Sequence, residues 1–386
     1  MKRGLTLLTL ALAACTTKGP DASTPSSTPS APVSAAAKRS APASKAPATE
    51  APAPVDPARL PPADRIFFAG GLVLGADGKT LWARAPGERG AEKWRVEGEG
   101  VVHQIVYGDV GDGARFYVTR GVGRGFLQAP LVLQSLDPAT GQATELWRND
   151  AERNEPVTLA IADVDRNGRD ELAFSHYASK YMVRTRHLKA GGASLGDGPE
   201  IRMATTRVWG DLDADGKVDE VLGRVYGDAK DLPGDLRVDR GKGLEPVPVE
   251  NGIKSVVIAK LGDDPAPALY FCDGWVANYG KEAHARLKRA RFVKGKVSVD
   301  TLGASADEFT FFSLQPADVD GDGKLELVAR GDKRLTIFRW TPSGPFTATP
   351  GRSLEPVLNV AVGVDEAGQA AVYVPGRPQS SVTPLK

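Results

Sequence analysis

The strongest constraint on the fold of this chain is a short acidic segment that recurs along it. Three copies follow one pattern, in which acids occupy positions 1, 3 and 9, Asp or Asn occupies position 5, and Gly occupies position 6. They read DVDRNGRDE from Asp163, DLDADGKVD from Asp211 and DVDGDGKLE from Asp318. Apolar runs flank each copy on both sides. Such self-similarity predicts one supersecondary unit that is repeated along the chain.

Three weaker copies share the same frame and extend the repeat to both ends of the folded region. The six copies begin at Asp109, Asp163, Asp211, Asp263, Asp318 and Asp365. Their spacings run from 47 to 55 residues. Short apolar runs alternate with Gly and Asp turns, and no long window keeps a 3.6-residue period, so the region is predicted to be all-β. A period near 50 residues fits one four-stranded β-propeller blade.

The two ends of the repeat region predict how the ring closes. The N-terminal end, from Leu72 to Glu97, resembles strands two to four of a blade, and Val357–Val364 with Ala371–Val374 resembles strands one and two. We therefore expect the termini to pair within a shared blade, which leaves no open sheet edge. This arrangement favours six blades, with a seventh, incomplete blade as the variant. The alternative fold is a pair of β-sandwiches with coincidental Asp turns.

The first 62 residues differ from this body in composition. Met1–Ala14 has two cations, then an apolar run and small residues, which is the layout of a secretory signal peptide. The sequence Leu-Ala-Ala-Cys ending at Cys15 resembles the bacterial lipobox. That resemblance implies cleavage before Cys15 and a diacylglycerol on its sulfur. The alternative is a plain signal peptide with an incidental cysteine. We divide the chain into a leader (1–14), a lipidated tether (15–62) and a propeller (63–386).

The tether is predicted to be disordered. Eleven of the 29 prolines lie in residues 16–62, a stretch that contains no aromatic residue. Its apolar content is too low to offset the entropy of ordering. Its physical role is therefore that of a spacer between a membrane and a folded domain.

The acidic segments have the chemistry of a metal site. Calcium takes six to eight oxygen ligands, and alternate residues of a tight loop can direct their oxygens to one centre. Four acids within nine residues repel one another when no cation is present. The competing interpretation is that these side chains only cap their own turn amides. We expect a structural Ca²⁺ that neutralises and stiffens each hairpin, in two or three loops.

These residues resemble the FG-GAP or VCBS repeat of integrin-like propellers, whose inter-strand loops bind calcium. The resemblance covers residues 64–386 and is strong in three copies. Carried over by position, the implied side-chain ligands are Asp163, Asp165, Asn167 and Glu171; Asp211, Asp213, Asp215 and Asp219; and Asp318, Asp320, Asp322 and Glu326. The implied backbone-carbonyl ligands are Arg169, Lys217 and Lys324. The loop at Asp163 has one carboxylate fewer and is expected to bind more weakly. No metal is expected in the three weak copies.

No pattern typical of an active site is evident in the sequence. Four histidines form no zinc motif, although His176 and His187 lie on neighbouring predicted strands. The G-x-S-x-G match around Ser194 lacks the strand–turn–helix context of a nucleophile elbow. Cys272 lies in an apolar strand and is predicted to be buried. The basic run from Lys281 to Lys296 is predicted to be a solvated outer strand, or else a contact for an anionic polymer or lipid headgroup.

These observations favour a monomeric, membrane-anchored binding or scaffold module with an unidentified protein or polysaccharide partner. The expected location is the extracytoplasmic side of a bacterial envelope, periplasmic or at the cell surface, with the outer membrane favoured. The formal net charge of +1 argues against a nucleic-acid binder. The alternative function is a propeller hydrolase or lyase that acts on an extracellular polymer. An enzyme would need polar residues at the starts of the innermost strands, and the residues there are mixed.

Overall fold

The structure is a computed structural model, and it describes most of the chain from residue 59 onward. The described ranges are 59–124, 127–151, 156–179, 182–198, 200–202, 204–224, 234–249, 252–273, 286–293, 295–304, 311–331, 334–341, 344–353, 359–376 and 380–385. All belong to one compact unit, Pro52–Lys386. Cys15 and residues 16–58 of the tether lie outside the described residues. Among the described ranges, no helix has the length and apolar content needed to cross a membrane.

The described residues form seven antiparallel sheets, each made of consecutive strands, which are the blades of a β-propeller. The first two blades comprise β1 (Arg65–Ala69), β2 (Leu72–Asp77), β3 (Thr80–Arg84) and β4 (Glu92–Glu97), then β5 (Val101–Gly108), β6 (Arg115–Arg124), β7 (Leu127–Leu136) and β8 (Ala143–Asn149). The third comprises β9 (Pro156–Ala162), β10 (Glu171–Tyr177), β11 (Met182–Leu188), β12 (Ser194–Asp197) and β13 (Ile201–Arg202), with a 3-10 turn at Ala190–Gly192. The predicted all-β propeller is therefore confirmed.

The remaining blades repeat the same order. The fourth comprises β14 (Ala204–Gly210), β15 (Asp219–Arg224), β16 (Leu236–Asp239) and β17 (Leu244–Val247), and the fifth β18 (Ile253–Ala259), β19 (Ala268–Asp273), β20 (Arg286–Val293) and β21 (Lys296–Ala304). The sixth comprises β22 (Phe311–Ala317), β23 (Glu326–Gly331), β24 (Arg334–Thr341) and β25 (Gly344–Ser353), and the seventh β26 (Ala361–Val364), β27 (Ala370–Val374) and β28 (Ser381–Pro384). In the third, fifth and sixth blades, every residue of the second strand is buried, because neighbouring blades cover both faces.

The hydrophobic core is divided among the junctions between blades. Seven clusters of buried side chains each join two neighbouring blades, and together they go once around the ring. One of them joins the last blade to the first and includes Leu60, Trp82, Ala371 and Tyr373. The ring is therefore closed by apolar packing between the two ends of the unit, as at every other junction.

The ring has seven blades, which corrects the favoured count of six. Arg65–Ala69 forms an innermost strand of the first blade, joined to β2 by the two-residue turn Gly70–Gly71. The sequence pattern placed the start of the first blade at Leu72, so this strand was not predicted. The ends do meet, since the Ala63 amide donates to the Gly376 carbonyl at 3.3 Å. Their strands nevertheless belong to separate sheets.

Side-chain amides connect the innermost strands of neighbouring blades. Asn359 makes two hydrogen bonds to the backbone of Ile66 across the seam between the last and first blades, at 3.0 and 2.5 Å. Gln315 makes the same pair of bonds, to Val360 and Val362, between the sixth and seventh blades. The Gln104 amide donates to the Val157 carbonyl between the second and third blades at 2.9 Å. These contacts satisfy backbone groups that an innermost edge strand would otherwise leave unpaired.

Replacing Asn359 by Ala is expected to lower the free energy of unfolding by about 2 kcal/mol, because two backbone groups of Ile66 lose their partners. Hydrogen exchange should quicken in β1 and β26. Gln315→Ala is the matched control, since it removes two equivalent bonds, to Val360 and Val362, at a junction where the chain runs directly from one blade into the next. Equal exchange in β1 in both variants would contradict a special role for the seam.

Candidate metal centre

The three strong acidic segments occupy equivalent places in the fold. Each joins the first and second strands of its blade: β9 to β10, β14 to β15 and β22 to β23. The fourth and sixth residues of every loop have positive φ, between 59° and 84°. The fourth residues are Arg166, Ala214 and Gly321, and the sixth are Gly168, Gly216 and Gly323. The three loops therefore share one backbone conformation. A left-handed Arg or Ala is unfavourable by itself, so other contacts within the loop must stabilise that conformation.

The acid at position 1 caps the turn. Asp163 accepts hydrogen bonds from the amides of Asn167 and Gly168, both at 2.8 Å. Asp211 and Asp318 each accept two bonds from amides of their own loops in the same way. This matches the turn-capping interpretation for position 1. The weak copies at Asp109 and Asp365 use their first acid similarly.

The acid at position 9 closes the loop from the opposite side. Glu171, Asp219 and Glu326 are buried. Each accepts a hydrogen bond from the amide at position 2 of its own loop, at 2.7 to 3.0 Å. A buried carboxylate that faces other carboxylates is stable only when it is protonated or when a cation compensates its charge. The bond to the loop amide satisfies one oxygen of this acid but does not neutralise its charge.

Three acids converge in each loop, at positions 1, 3 and 9. One oxygen from each lies within 4.8 Å of the others in the groups Asp163, Asp165 and Glu171; Asp211, Asp213 and Asp219; and Asp318, Asp320 and Glu326. In the second group, Oδ1 of Asp213 is fully buried and has no hydrogen-bond partner among the described residues. The other oxygen of Asp213, Oδ2, meets the Arg240 guanidinium at 3.5 Å, so Oδ1 is the oxygen of this carboxylate that is left for a metal ion, and a buried oxygen without a donor is unfavourable. An all-oxygen donor set of this kind suits Ca²⁺ or another hard cation.

The charge environment of the loops favours cation uptake. Burial, together with the negative charges of Asp213, Asp215 and Asp211, raises the pKa of Asp219 to about 6. Burial and the neighbouring acids also raise the pKa values of Glu171 and Glu326. A bound cation would reverse this effect, because it stabilises the ionised carboxylates.

The side chains at position 5 are engaged with the loop backbone. An oxygen of Asn167, Asp215 and Asp322 accepts the amide at position 7 of its own loop, at 2.8 to 2.9 Å. Those amides belong to Arg169, Lys217 and Lys324. Coordination by the position-5 side chains and by the position-7 carbonyls stays a prediction.

Asp219→Asn is expected to have opposite effects with and without calcium. In chelator, the wild-type protein should lose stability as pH rises from about 4 to about 6, because the folded state binds the Asp219 proton more tightly than the unfolded chain does. The amide of the variant stays neutral, so the variant should be more stable than wild type at pH 7.5, by on the order of 2 kcal/mol. In excess calcium the order should reverse. Urea unfolding at three pH values measures both; the same order in both buffers would contradict a metal at this loop.

Two of the weak loops contact a buried tyrosine that sequence reasoning missed. Tyr117 and Tyr270 occupy the same register of the second strand, where the three strong blades have Ala or Val. Their hydroxyls donate to loop acids, Asp112 at 3.2 Å and Asp264 at 2.9 Å. Burial and these carboxylates raise the pKa of both hydroxyls. A tyrosine at this register is the sequence signal for a loop organised by a side chain.

Three cations in the described part of the basic run form ion pairs. Lys288, 5% exposed, pairs with the fully buried Asp273 at 2.6 Å. Arg289 is buried and bonds Asp264 through Nη1 at 3.1 and 3.2 Å. Arg291 pairs with Asp300 at 2.8 Å. The prediction of a solvated outer strand is therefore wrong for Lys288 and Arg289, whose charges point into the protein and meet acids there. Lys281 lies outside the described residues.

His176, His187, Ser194 and Cys272 are each placed within a strand by the structure. His176 pairs with Arg184 and His187 with Ala173, so the two histidines do not lie opposite each other. His176 packs against Trp147, and burial lowers its pKa to about 4. Ser194 lies in β12, and its hydroxyl accepts the Gly196 amide. Cys272 is buried, as predicted.

The comparisons with known proteins bear on the fold alone. The crystal structure of Saccharomyces cerevisiae Sqt1 is similar, with a TM-score of 0.50 and 10% sequence identity over 84% of this chain and 95% of that chain. No protein-family model matches the sequence, and no curated protein matches it. At this identity the likeness supports the propeller architecture and carries nothing about activity or partners.

Proposed function

We propose that the chain is a lipid-anchored, calcium-stabilised β-propeller that presents a binding surface outside the cytoplasm of a bacterial cell. The observation that carries the calcium assignment is the threefold recurrence of one loop conformation with three converging carboxylates. The leader and Cys15 support the anchor, and the proline-rich segment supports a spacer function. A propeller is a rigid ring whose exposed loops suit recognition of a protein or polysaccharide.

The anchor is tested by replacing Cys15 with Ser and fractionating cells. The wild-type chain should sediment with membranes, and the variant should be found in the soluble envelope or medium fraction, because acyl chains contribute about 0.8 kcal/mol per buried CH₂. The control is Cys272→Ser, which removes the other cysteine and should leave the protein on membranes. Retention of the Cys15 variant on membranes would contradict the anchor.

The binding role is tested by crosslinking in intact cells and mass spectrometry of the captured species. A scaffold or receptor should yield one reproducible partner that is lost when the propeller is unfolded by heat before crosslinking. If no protein is captured, binding to purified envelope polysaccharide is the second arm. An activity on such a polymer, lost on mutation of propeller residues, would instead favour the enzyme.

A further inference from the structure

The residues just before the first strand form part of the ring. Leu60 is fully buried and Ala63 is 1% exposed. Both belong to the cluster that joins the last blade to the first. The sequence had placed Leu60 in the tether. Four residues of the predicted spacer, Arg59–Pro62, therefore lie within the described unit, and at least one of them contributes to its core.

Hydrogen bonds hold this segment to both sides of the seam. On the side of the last blade, the Ala63 amide donates to the Gly376 carbonyl and the Ser380 amide to the Pro61 carbonyl, each at 3.3 Å. On the side of the first blade, Nε1 of the buried Trp82 donates to the Pro62 carbonyl at 3.3 Å. The guanidinium of Arg84, 6% exposed, donates to the Arg59 carbonyl.

We propose that residues 59–63 are a clasp that holds the propeller ring closed, and that the tether joins the domain through this clasp. The seam between the last and first blades is the one junction of the ring that no direct chain connection crosses. The clasp spans it with one apolar anchor and bonds to each side. A cut in the tether before Arg59 would release an intact closed propeller. A cut after Arg59 would break the Arg84 bond and leave Leu60 at a new chain end, which should loosen the seam.

Trypsin distinguishes these two outcomes on the full chain. Lys38, Arg39 and Lys45 offer cleavage sites in the tether, whose composition makes it a ready substrate. The Arg59–Leu60 bond should resist, because its carbonyl is hydrogen-bonded and its leaving residue is buried. The limit product of the folded protein should therefore begin at Ala46, as read by mass spectrometry.

Two variants test whether the clasp is what protects that bond. Leu60→Ala should raise the rate of cleavage after Arg59 at least tenfold and lower the melting temperature by on the order of 5 °C. Trp82→Phe should raise the rate of cleavage at the same bond, because it removes the bond to Pro62 while keeping an aromatic ring. Hydrogen exchange should quicken in β1 and β26–β28 before the other blades.

Leu133→Ala is the matched control, since Leu133 is also fully buried but lies at the junction of the second and third blades. It should destabilise the protein without exposing the Arg59–Leu60 bond. Equal cleavage after Arg59 in Leu133→Ala and Leu60→Ala would overturn the clasp, because the cut would then follow global unfolding. Rapid cleavage after Arg59 in the folded wild-type protein would overturn it as well.

Discussion

Removal of calcium with a chelator is expected to lower the melting temperature of this protein by on the order of 10 °C. An ion present at a hundredfold excess over its Kd stabilises the folded state by about 2.7 kcal/mol per site, and three loops have the same converging acids. Without a cation, the buried acids at position 9 face their neighbours' negative charge uncompensated. Differential scanning calorimetry in calcium and in chelator measures the shift.

Single substitutions at position 3 assign the shift to individual loops. Asp165→Asn, Asp213→Asn and Asp320→Asn each remove one of the converging carboxylates while keeping the size of the side chain. Each should remove part of the calcium response, and Asp165→Asn should remove the least, because that loop has the fewest carboxylates. Asp109→Asn, in a weak loop, is the control and should leave the response intact. A response unchanged in all three variants would contradict the assignment of the metal to these loops.

Replacement of Arg289 by Met is expected to destabilise the protein by about 3 to 5 kcal/mol, the usual consequence of removing one partner of a buried ion pair. Asp264 is 3% exposed and, among the described residues, would keep a neutral donor, the Tyr270 hydroxyl. The loss of stability should be the same in calcium and in chelator, since the loop that contains Asp264 is organised by the Arg289 guanidinium rather than by a metal ion. Urea unfolding in both buffers measures it.

Arg291→Met is the control on the same strand. Arg291 and Asp300 are both well exposed, at 42% and 38%, and Asp300 also meets Nη2 of Arg289 at 3.2 Å, so removal of Arg291 should cost about 1 kcal/mol or less. The double variant Arg289→Met with Asp264→Asn should recover part of the stability, because no unpaired charge stays buried. Rescue of Arg289→Met by calcium would contradict the distinction between the two kinds of loop.

Much of the fold could be predicted because each copy of the repeat is specified by residues that are close together in the sequence. The nine-residue pattern places acids on alternate residues and a glycine at a left-handed position, and these preferences act within one hairpin. The structure accordingly has the three strong loops between the first and second strands of their blades. The first strand, Arg65–Ala69, escaped prediction because no acidic copy follows it: its turn to β2 is only Gly70–Gly71.

The clustering of acids at the three loops was predictable from the sequence, whereas its geometry was not, and metal binding there stays a prediction. The pattern itself points to positions 1, 3 and 9, yet only the structure distinguishes the capping acid from the buried one. The basic run shows the opposite case. Seven cations between Lys281 and Lys296 indicated an exposed strand, whereas Asp264 and Asp273, which neutralise Arg289 and Lys288, come from elsewhere in the blade.

The sequence by itself determined the repeat, the all-β architecture and the acidic loops, because each depends on neighbours within about ten residues. Only the tertiary structure decided the number of blades, the burial of Leu60 and the pairing of Asn359 with Ile66. Those features join residues almost 300 positions apart. Such long-range contacts form only when the ring closes and brings apolar and amide side chains to the backbone of a distant strand. No local sequence pattern specifies which distant strand that is.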